Sequence, residues 1–200
     1  MIIGLTGGYC SGKSTVAALL AERGWRIVDV DTLGHIALEA NAARVARRFG
    51  PGVLGPDGRI ARKALAAIVF SDPAALADHE AIVHPAMLAL LDAEISKARI
   101  AGADLCIDAA LLYRFPQVET CDVVLEIRSP LCARLRRGRE RDGISASKAL
   151  ARIRSQRPLW KLRPRKHPPV LFLRNSGSRT RLAGSLDRHI ALIERPRTLK

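Results

Sequence analysis

Aromatic residues make up only 4% of this 200-residue chain, which leaves few platforms on which nucleobases could stack. No recognition-helix or RNP pattern accompanies them. Cysteine is sparse and irregular. Cys10, Cys106, Cys121 and Cys132 form no C-x-x-C pair and have no histidines at zinc-finger spacing, which argues against a metal finger and a disulfide framework. Reduced thiols in a cytoplasmic protein are the expectation. The amino terminus has no basic segment ahead of its short apolar stretch, and Lys13 interrupts that stretch too early for a signal peptide or membrane span, so no membrane partner is expected. There is no internal repeat and no signal of oligomeric state. Acidic residues are scarce in one half only: residues 1–100 hold 11 Lys+Arg against 10 Asp+Glu, and residues 101–200 hold 22 against 9, net charges of +1 and +13. Such a half suits nucleic acid, a polyphosphate substrate or, for most of its cations, a solvated surface.

What is present begins with 48% hydrophobic residues, enough for a real core in a single domain with room for an inserted lobe. Residues 7–14 read Gly7-Gly8-Tyr9-Cys10-Ser11-Gly12-Lys13-Ser14, the full G-x-x-x-x-G-K-[ST] phosphate-cradling loop, directly after the apolar run Ile2 to Leu5. A strand feeding a glycine turn and then a helix aims backbone N–H groups and the positive end of a helix dipole at one point. A polyphosphate belongs there. Lys13 can reach its β- and γ-phosphates, and the Ser14 hydroxyl is placed to ligate Mg²⁺.

Along the chain, Trp25 to Asp31 reads as a second buried strand with acids at its carboxyl end. Leu33 to Phe49 is helical in composition with a break near Asn41, and Gly50 to Gly58 is turn punctuation. Asp72-Pro73 opens a helix, and His84-Pro85 opens or kinks another. Asp104 to Asp108, Asp122 to Ile127 and Val170 to Leu173 return to the strand pattern. Ser129-Pro130 reads as an N-cap followed by Pro at the first helical position. A closing helix spans about Arg179 to Ile193, and only Arg195 to Lys200 looks loose. The alternation predicts an α/β fold of P-loop NTPase type. It is a doubly wound parallel sheet in one domain, residues 1–200, with an inserted helical substrate lobe at about 57–100 and a lid at about 134–150.

Phosphoryl transfer needs a metal site, a group to deprotonate or orient the nucleophile, and cations around the moving phosphoryl. Asp31, at the tip of the second strand, is the candidate base or metal ligand. Asp29, on the same side of that strand by its period of two, is a buried partner or a capping acid. Asp108 ends an apolar strand as a Walker B acid does, or caps the next element. Arg134, Arg136, Arg137, Arg139 and Arg141 crowd a segment with Gly138 and Gly143, as a helix ending in a mobile, arginine-bearing lid loop would; one or two of them are expected to touch phosphate. His84, on an apolar background, reads as packed or capping.

The residues also resemble the dephospho-coenzyme A kinase family. The match is carried by Gly4 to Gly8 with Ser11 to Thr15, Ile27 to Asp31, Asp57-Gly58, Val69 to Pro73, Glu80 to Pro85, Asp108 with Leu111-Leu112, Arg141 to Ser145, Gln156, and Asn175 to Ser178. The resemblance implies transfer of the ATP γ-phosphoryl group to the ribose 3′-hydroxyl of dephospho-CoA, the last step of coenzyme A synthesis, with ATP and Mg²⁺ as cofactors. It further implies nucleotide contacts from Gly8, Tyr9, Cys10, Ser11, Gly12, Lys13, Ser14 and Thr15, with Ser14 on the metal and Asn175 on the adenine side. Asp31, Lys13 and Arg141 would be catalytic, and Asp31, His84 and Asp108 would lie on the substrate side, with the lobe around His84 and Pro85 cupping the CoA portion. The chain departs from the family pattern at Tyr9 and Cys10, at His35, at Ala109 to Arg114, in extra residues among Arg134 to Arg141, and at Pro168-Pro169. Two alternatives remain: a nucleoside or nucleoside-monophosphate kinase, which shares the loop and arginine lid, and, ranked below it, a basic nucleic-acid-binding NTPase.

Overall fold

A computed structural model describes residues 1–194. The loose tail expected at Arg195 to Lys200 lies outside them. The described chain divides into two compact units: one holds residues 1–28 and the chain from 98 onward, the other residues 29–97.

The first unit is built on a five-stranded sheet. Strand β1 (Ile2–Gly7) is buried along its whole length, as a strand covered on both faces must be, and this is why its sequence is an unbroken apolar run. It leads through the phosphate loop into α1 (Lys13–Ala21), which Gly24 closes at φ +85°. Then β2 (Arg26–Asp29) hands over to α2 (Val30–Ala40), α3 (Ala42–Phe49), α4 (Arg62–Val69) and α5 (Pro73–Ile100). The chain returns through β3 (Leu105–Asp108), β4 (Val123–Arg128), α6 (Leu131–Asp142), α7 (Ala146–Ser155), β5 (Val170–Arg174) and α8 (Arg179–Glu194). Strand order is β2-β3-β1-β4-β5. β1 runs parallel to β3 with Leu5 opposite Asp108, and parallel to β4 with Gly7 opposite Ile127; β4 is parallel to β5. The order reverses at β1, so its carboxyl end opens into the crevice where such sheets bind ligands.

One sheet face packs Ile3, Leu5, Cys106, Leu125, Ile127 and Leu173 against Val16, Leu19 and Leu20 of α1 and Leu182 and Leu186 of α8. On the other face, a Cβ at Gly4 would stand 2.7 Å from Leu112 and 3.0 Å from the Cys121 sulfur, so Leu112 and Cys121 lie flat on the strand. Burial drives the Cys106 thiol well above its ordinary value and the Cys121 thiol up to about 12, so both stay protonated and unreactive.

The second unit is helical. The break between α2 and α3 falls at Asn41 as read, and α5 starts at Pro73, with Asp72 Oδ1 accepting from Ala74 N at 2.9 Å. Three readings change. The second strand stops at Asp29, because the Asp29 carboxylate caps α2 by accepting from Asp31 N; Asp31 therefore sits in a helical first turn, not beside Asp29 on a strand face. His84-Pro85 opens no new helix, since Pro85 lies inside the continuous α5. In the first unit, Ser129 is not an N-cap: its hydroxyl donates to Asn175 O at 2.7 Å, and Pro130 takes the cap position without a side-chain bond.

By length and composition α5 is apolar enough to cross a membrane, with a window of mean hydropathy 1.2 of which 22% is buried. Its buried residues, Ala75, Val83, Met87, Leu91, Ile95 and Ala98, recur at steps of three, four and eight, the single stripe of a helix lying on a core.

Candidate active site

The phosphate loop begins where β1 leaves the sheet. Ser11 N donates to Gly8 O at 2.9 Å and Thr15 N to Gly12 O at 3.1 Å. These bonds turn the chain into α1, whose first-turn amides have no intrahelical acceptor. Gly12 holds this turn at φ +96°, and a Cβ there would overlap the Asn175 side-chain nitrogen. Cys10 adopts φ 56° without being glycine, a conformation that costs about 1 kcal/mol and is kept only where the surroundings enforce it.

The carbonyls on the outside of the loop supply that enforcement. Arg134 Nε donates to Tyr9 O at 2.7 Å; Arg137 Nη1 donates to Cys10 O and Ser11 O, both at 3.3 Å, and to Ser129 Oγ at 3.0 Å. Asn175, buried at the end of β5, donates from Nδ2 to Ser11 O at 2.9 Å and accepts from Arg137 Nη2 at 3.3 Å. Gln156 Oε1 accepts from Tyr9 N at 2.6 Å. With its carbonyls held from outside, the loop's N–H groups other than those of Tyr9, Ser11 and Thr15 are left to face a ligand. Arg134 is half-buried, and burial lowers its pKa; it gains most from a nearby anion.

Lys13 Nζ pairs with Asp108 Oδ1, whose residue is 6% exposed at the carboxyl end of β3. Asp108 is thus buried and close to the loop lysine. Its register opposite Leu5 brings the acid to within reach of the loop lysine. Ser14 is exposed on the first turn of α1, and the buried Ser11 hydroxyl has no hydrogen-bond partner among the described residues. Arg141 lies against the Tyr9 ring, its guanidinium carbon 5.3 Å from the centroid and its Nε on Asp142 Oδ1 at 2.8 Å. Expected as a helix and a loop, this arginine-rich segment is two helices, α6 and α7, joined through Gly143 at φ 63°.

The first unit therefore brings together Gly8 to Thr15, Asp108, Arg141 and Asn175. Asp31 and His84 belong to the second unit. There, Asp29 accepts from Asp31 N at 3.0 Å and from Thr32 Oγ1 at 3.2 Å, so Asp29 is the capping acid and not a buried partner; it and Asp31 are both exposed. His84 is half-buried in α5 next to His79, whose pKa is lowered by burial and by the His84 charge. The sequence reading took Ser129 for an N-cap and quoted Asp142 and Gln156 without a role; bonds from these side chains to partners distant in sequence leave no local signature.

A parallel sheet in this order, with a phosphate loop between its central strand and first helix, defines a P-loop phosphotransferase. Comparison with known proteins narrows the class. The dephospho-CoA kinase family model matches residues 1–178, and the chain belongs to that family. It is 39% identical over 194 residues to a dephospho-CoA kinase of Anaeromyxobacter dehalogenans, covering 95% of this chain and 90% of that one. A crystal structure from Thermus thermophilus superposes with a TM-score of 0.79 at 38% identity, covering 96% of this chain and 97% of the other. The dephospho-CoA kinase from Campylobacter jejuni superposes with a TM-score of 0.73 at 23% identity over 96% of each chain.

Proposed function

We propose that this kinase moves the ATP γ-phosphoryl group onto the ribose 3′-hydroxyl of dephospho-CoA, using Lys13 and Arg141 to stabilise charge and Asp31 to receive the hydroxyl proton. The observation that carries the reading is the complete phosphate loop at the carboxyl end of β1 in a chain that the family model matches over residues 1–178.

The nucleotide's phosphates would lie on the first-turn amides of α1, with Lys13 exchanging Asp108 for phosphate oxygens. Mg²⁺ suits the residues present: Ser14 offers an exposed hydroxyl at the loop's end, and Ser11 a buried one without a partner. When bound, the ion neutralises phosphate charge, and Ser14 would hold it together with the nucleotide's own oxygens. Arg134, Arg137, Gln156 and Asn175 keep the loop in shape. Both carboxylates are exposed, but both oxygens of Asp29 are engaged in capping α2, which makes Asp31 the carboxylate to accept a proton. We assign the unit at residues 29–97 to the acceptor, with His84 on its substrate side, and residues 134–150 to a lid. The reaction is placed in the cytoplasm, on small molecules, with α5 as a core helix and not a membrane span.

Two measurements test this. Incubating the purified protein with ATP and either dephospho-CoA or nucleosides and nucleoside monophosphates, then reading product masses, is expected to show one added phosphate on dephospho-CoA alone; phosphorylation of the nucleotides instead would replace the reading with a nucleotide kinase. Asp31→Asn is expected to lower kcat at least 100-fold while leaving ATP affinity within about twofold; unchanged turnover removes Asp31 from the chemistry.

A further inference from the structure

Tyr9 stands inside the phosphate loop, yet none of its hydrogen-bonding groups is left for a nucleotide. Its N–H donates to Gln156 Oε1 at 2.6 Å and its carbonyl accepts from Arg134 Nε at 2.7 Å. Its phenol donates to Asp142 Oδ2. The same carboxylate receives Arg141 Nε at 2.8 Å and Arg152 Nη1 at 2.9 Å, and the two guanidinium carbons lie 5.3 and 5.4 Å from the Tyr9 ring centroid. The ring has a seat made for it. A Cβ at Gly138, in the middle of α6, would stand 3.0 Å from Tyr9 Cε1 and 3.2 Å from its oxygen. A mid-helix glycine weakens a helix, and here it makes room for the ring.

We propose that Tyr9 is a positioning residue: seated on Gly138 between α6 and α7, it holds Arg141, and Arg152 beside it, at the phosphate loop. Two arginines brought close together repel, and each loses rotamer freedom when fixed. One carboxylate and one π-face shared between them offset both effects. Burial and the bond to Asp142 raise the phenol's pKa, while Arg141 and the phenol hold the Asp142 carboxyl at about 2. The proton therefore stays on tyrosine and the bond keeps one direction. Because the ties run through the Tyr9 backbone as well as its side chain, the helical pair and the loop move as one piece.

The inference rests on the role given above to Arg141, so the experiment separates the two. Steady-state kinetics with ATP and dephospho-CoA would be measured for Tyr9→Ala, Tyr9→Phe, Gly138→Ala, Arg141→Ala and the Tyr9→Ala/Arg141→Ala pair, at a temperature where thermal melts show each variant folded. Tyr9→Ala is expected to lower kcat about tenfold or more with a smaller change in KM for ATP. Tyr9→Phe, which keeps the ring, is expected to recover most of that loss, and Gly138→Ala, which crowds the ring, to share it. In the Arg141→Ala background, Tyr9→Ala is expected to change kcat less than about twofold. Independent, multiplying losses, or an unaltered kcat in Tyr9→Ala, overturn the proposal while leaving Arg141 in place. Full activity in Arg141→Ala overturns the parent reading and this one with it. In nucleotide-free protein, amide exchange across α6 and α7 is expected to quicken in Tyr9→Ala; unchanged exchange counts against the tie.

Discussion

Lys13 Nζ lies against Asp108 in a pair whose lysine side chain is 17% exposed and whose acid side chain is 9% exposed. Such a pair costs free energy to break, because the buried carboxylate loses an adjacent cation. Lys13→Ala is therefore expected to act twice. It removes the cation that reaches the phosphates, lowering kcat/KM by at least 100-fold, and it destabilises the nucleotide-free protein by about 2–3 kcal/mol, which urea melts would register. An activity loss with an unchanged melt would mean that Asp108 has no need of the lysine. Glu126, 4% exposed, is the other buried acid. Burial pushes its pKa up, but hydrogen bonds from Arg163, Arg128 and Tyr113 outweigh this and lower it overall. A carboxyl with a depressed folded-state pKa stabilises above its unfolded value and loses that contribution as pH falls through the folded one. The chain should thus lose stability below the ordinary glutamate range, and Glu126→Gln should flatten that acid limb in melts run from pH 3 to pH 7. At this scale the motif residues were legible because a cradle for phosphate admits few residue types. The Lys13–Asp108 pair was not, because it joins positions 95 apart through strand register.

The junction of β2 and α2 shows how one side chain sets an element boundary. Trp25 to Asp31 reads as strand to its end because β-branched residues lead up to the acids, but the Asp29 carboxylate satisfies Asp31 N and Thr32 Oγ1 and so starts the helix two residues early. Local hydrogen bonding won over β-propensity. The outcome bears on chemistry, since the cap fixes the backbone from which Asp31 projects. Asp29→Ala is expected to lower stability by about 1 kcal/mol and to reduce kcat by less than Asp31→Asn does, measured by urea melts and initial rates. A kcat loss equal to that of Asp31→Asn would give Asp29 a share in the reaction itself. Ser129 is the mirror case. Its Ser-Pro pair is a sound cap signal, but Asn175 O offers the hydroxyl a partner 46 residues away, and long-range pairing of that kind is invisible in a local pattern. Strands β1, β3 and β4, by contrast, were readable to within a residue or two, because full burial demands continuous apolar runs.

The +13 of the second half divides by task once the chain is folded. Arg128 and Arg163 go to Glu126, Arg23 in the first half takes Asp187, and Arg141 and Arg152 share Asp142. Arg134 and Arg137 face the loop carbonyls. Aromatic faces take up part of this charge, Phe172 under Arg128 at 3.5 Å and Tyr9 beside Arg141 and Arg152, while Trp25, Tyr113 and Phe115 are buried. The cations around the loop come from α1 and, far along the chain, from α6 and α7; Asp108 and Asp142 offset part of their mutual repulsion, and a bound anion offsets more. A polyphosphate should therefore stabilise the chain broadly. ATP with magnesium at about 100 times its Kd is expected to add about 2.7 kcal/mol, a rise in Tm of roughly 5–10 °C for a chain of this size, and to add less as salt screens the charges. Arg137→Ala, which frees the Cys10 carbonyl and leaves that of Ser11 to Asn175, should lose most of the rise. Asp31→Asn should keep it if Asp31 serves the acceptor as proposed. RNA at the same phosphate concentration should give none. A rise with RNA equal to that with ATP would return the basic half to nucleic acid, and a rise absent with both would leave the phosphate loop without a ligand.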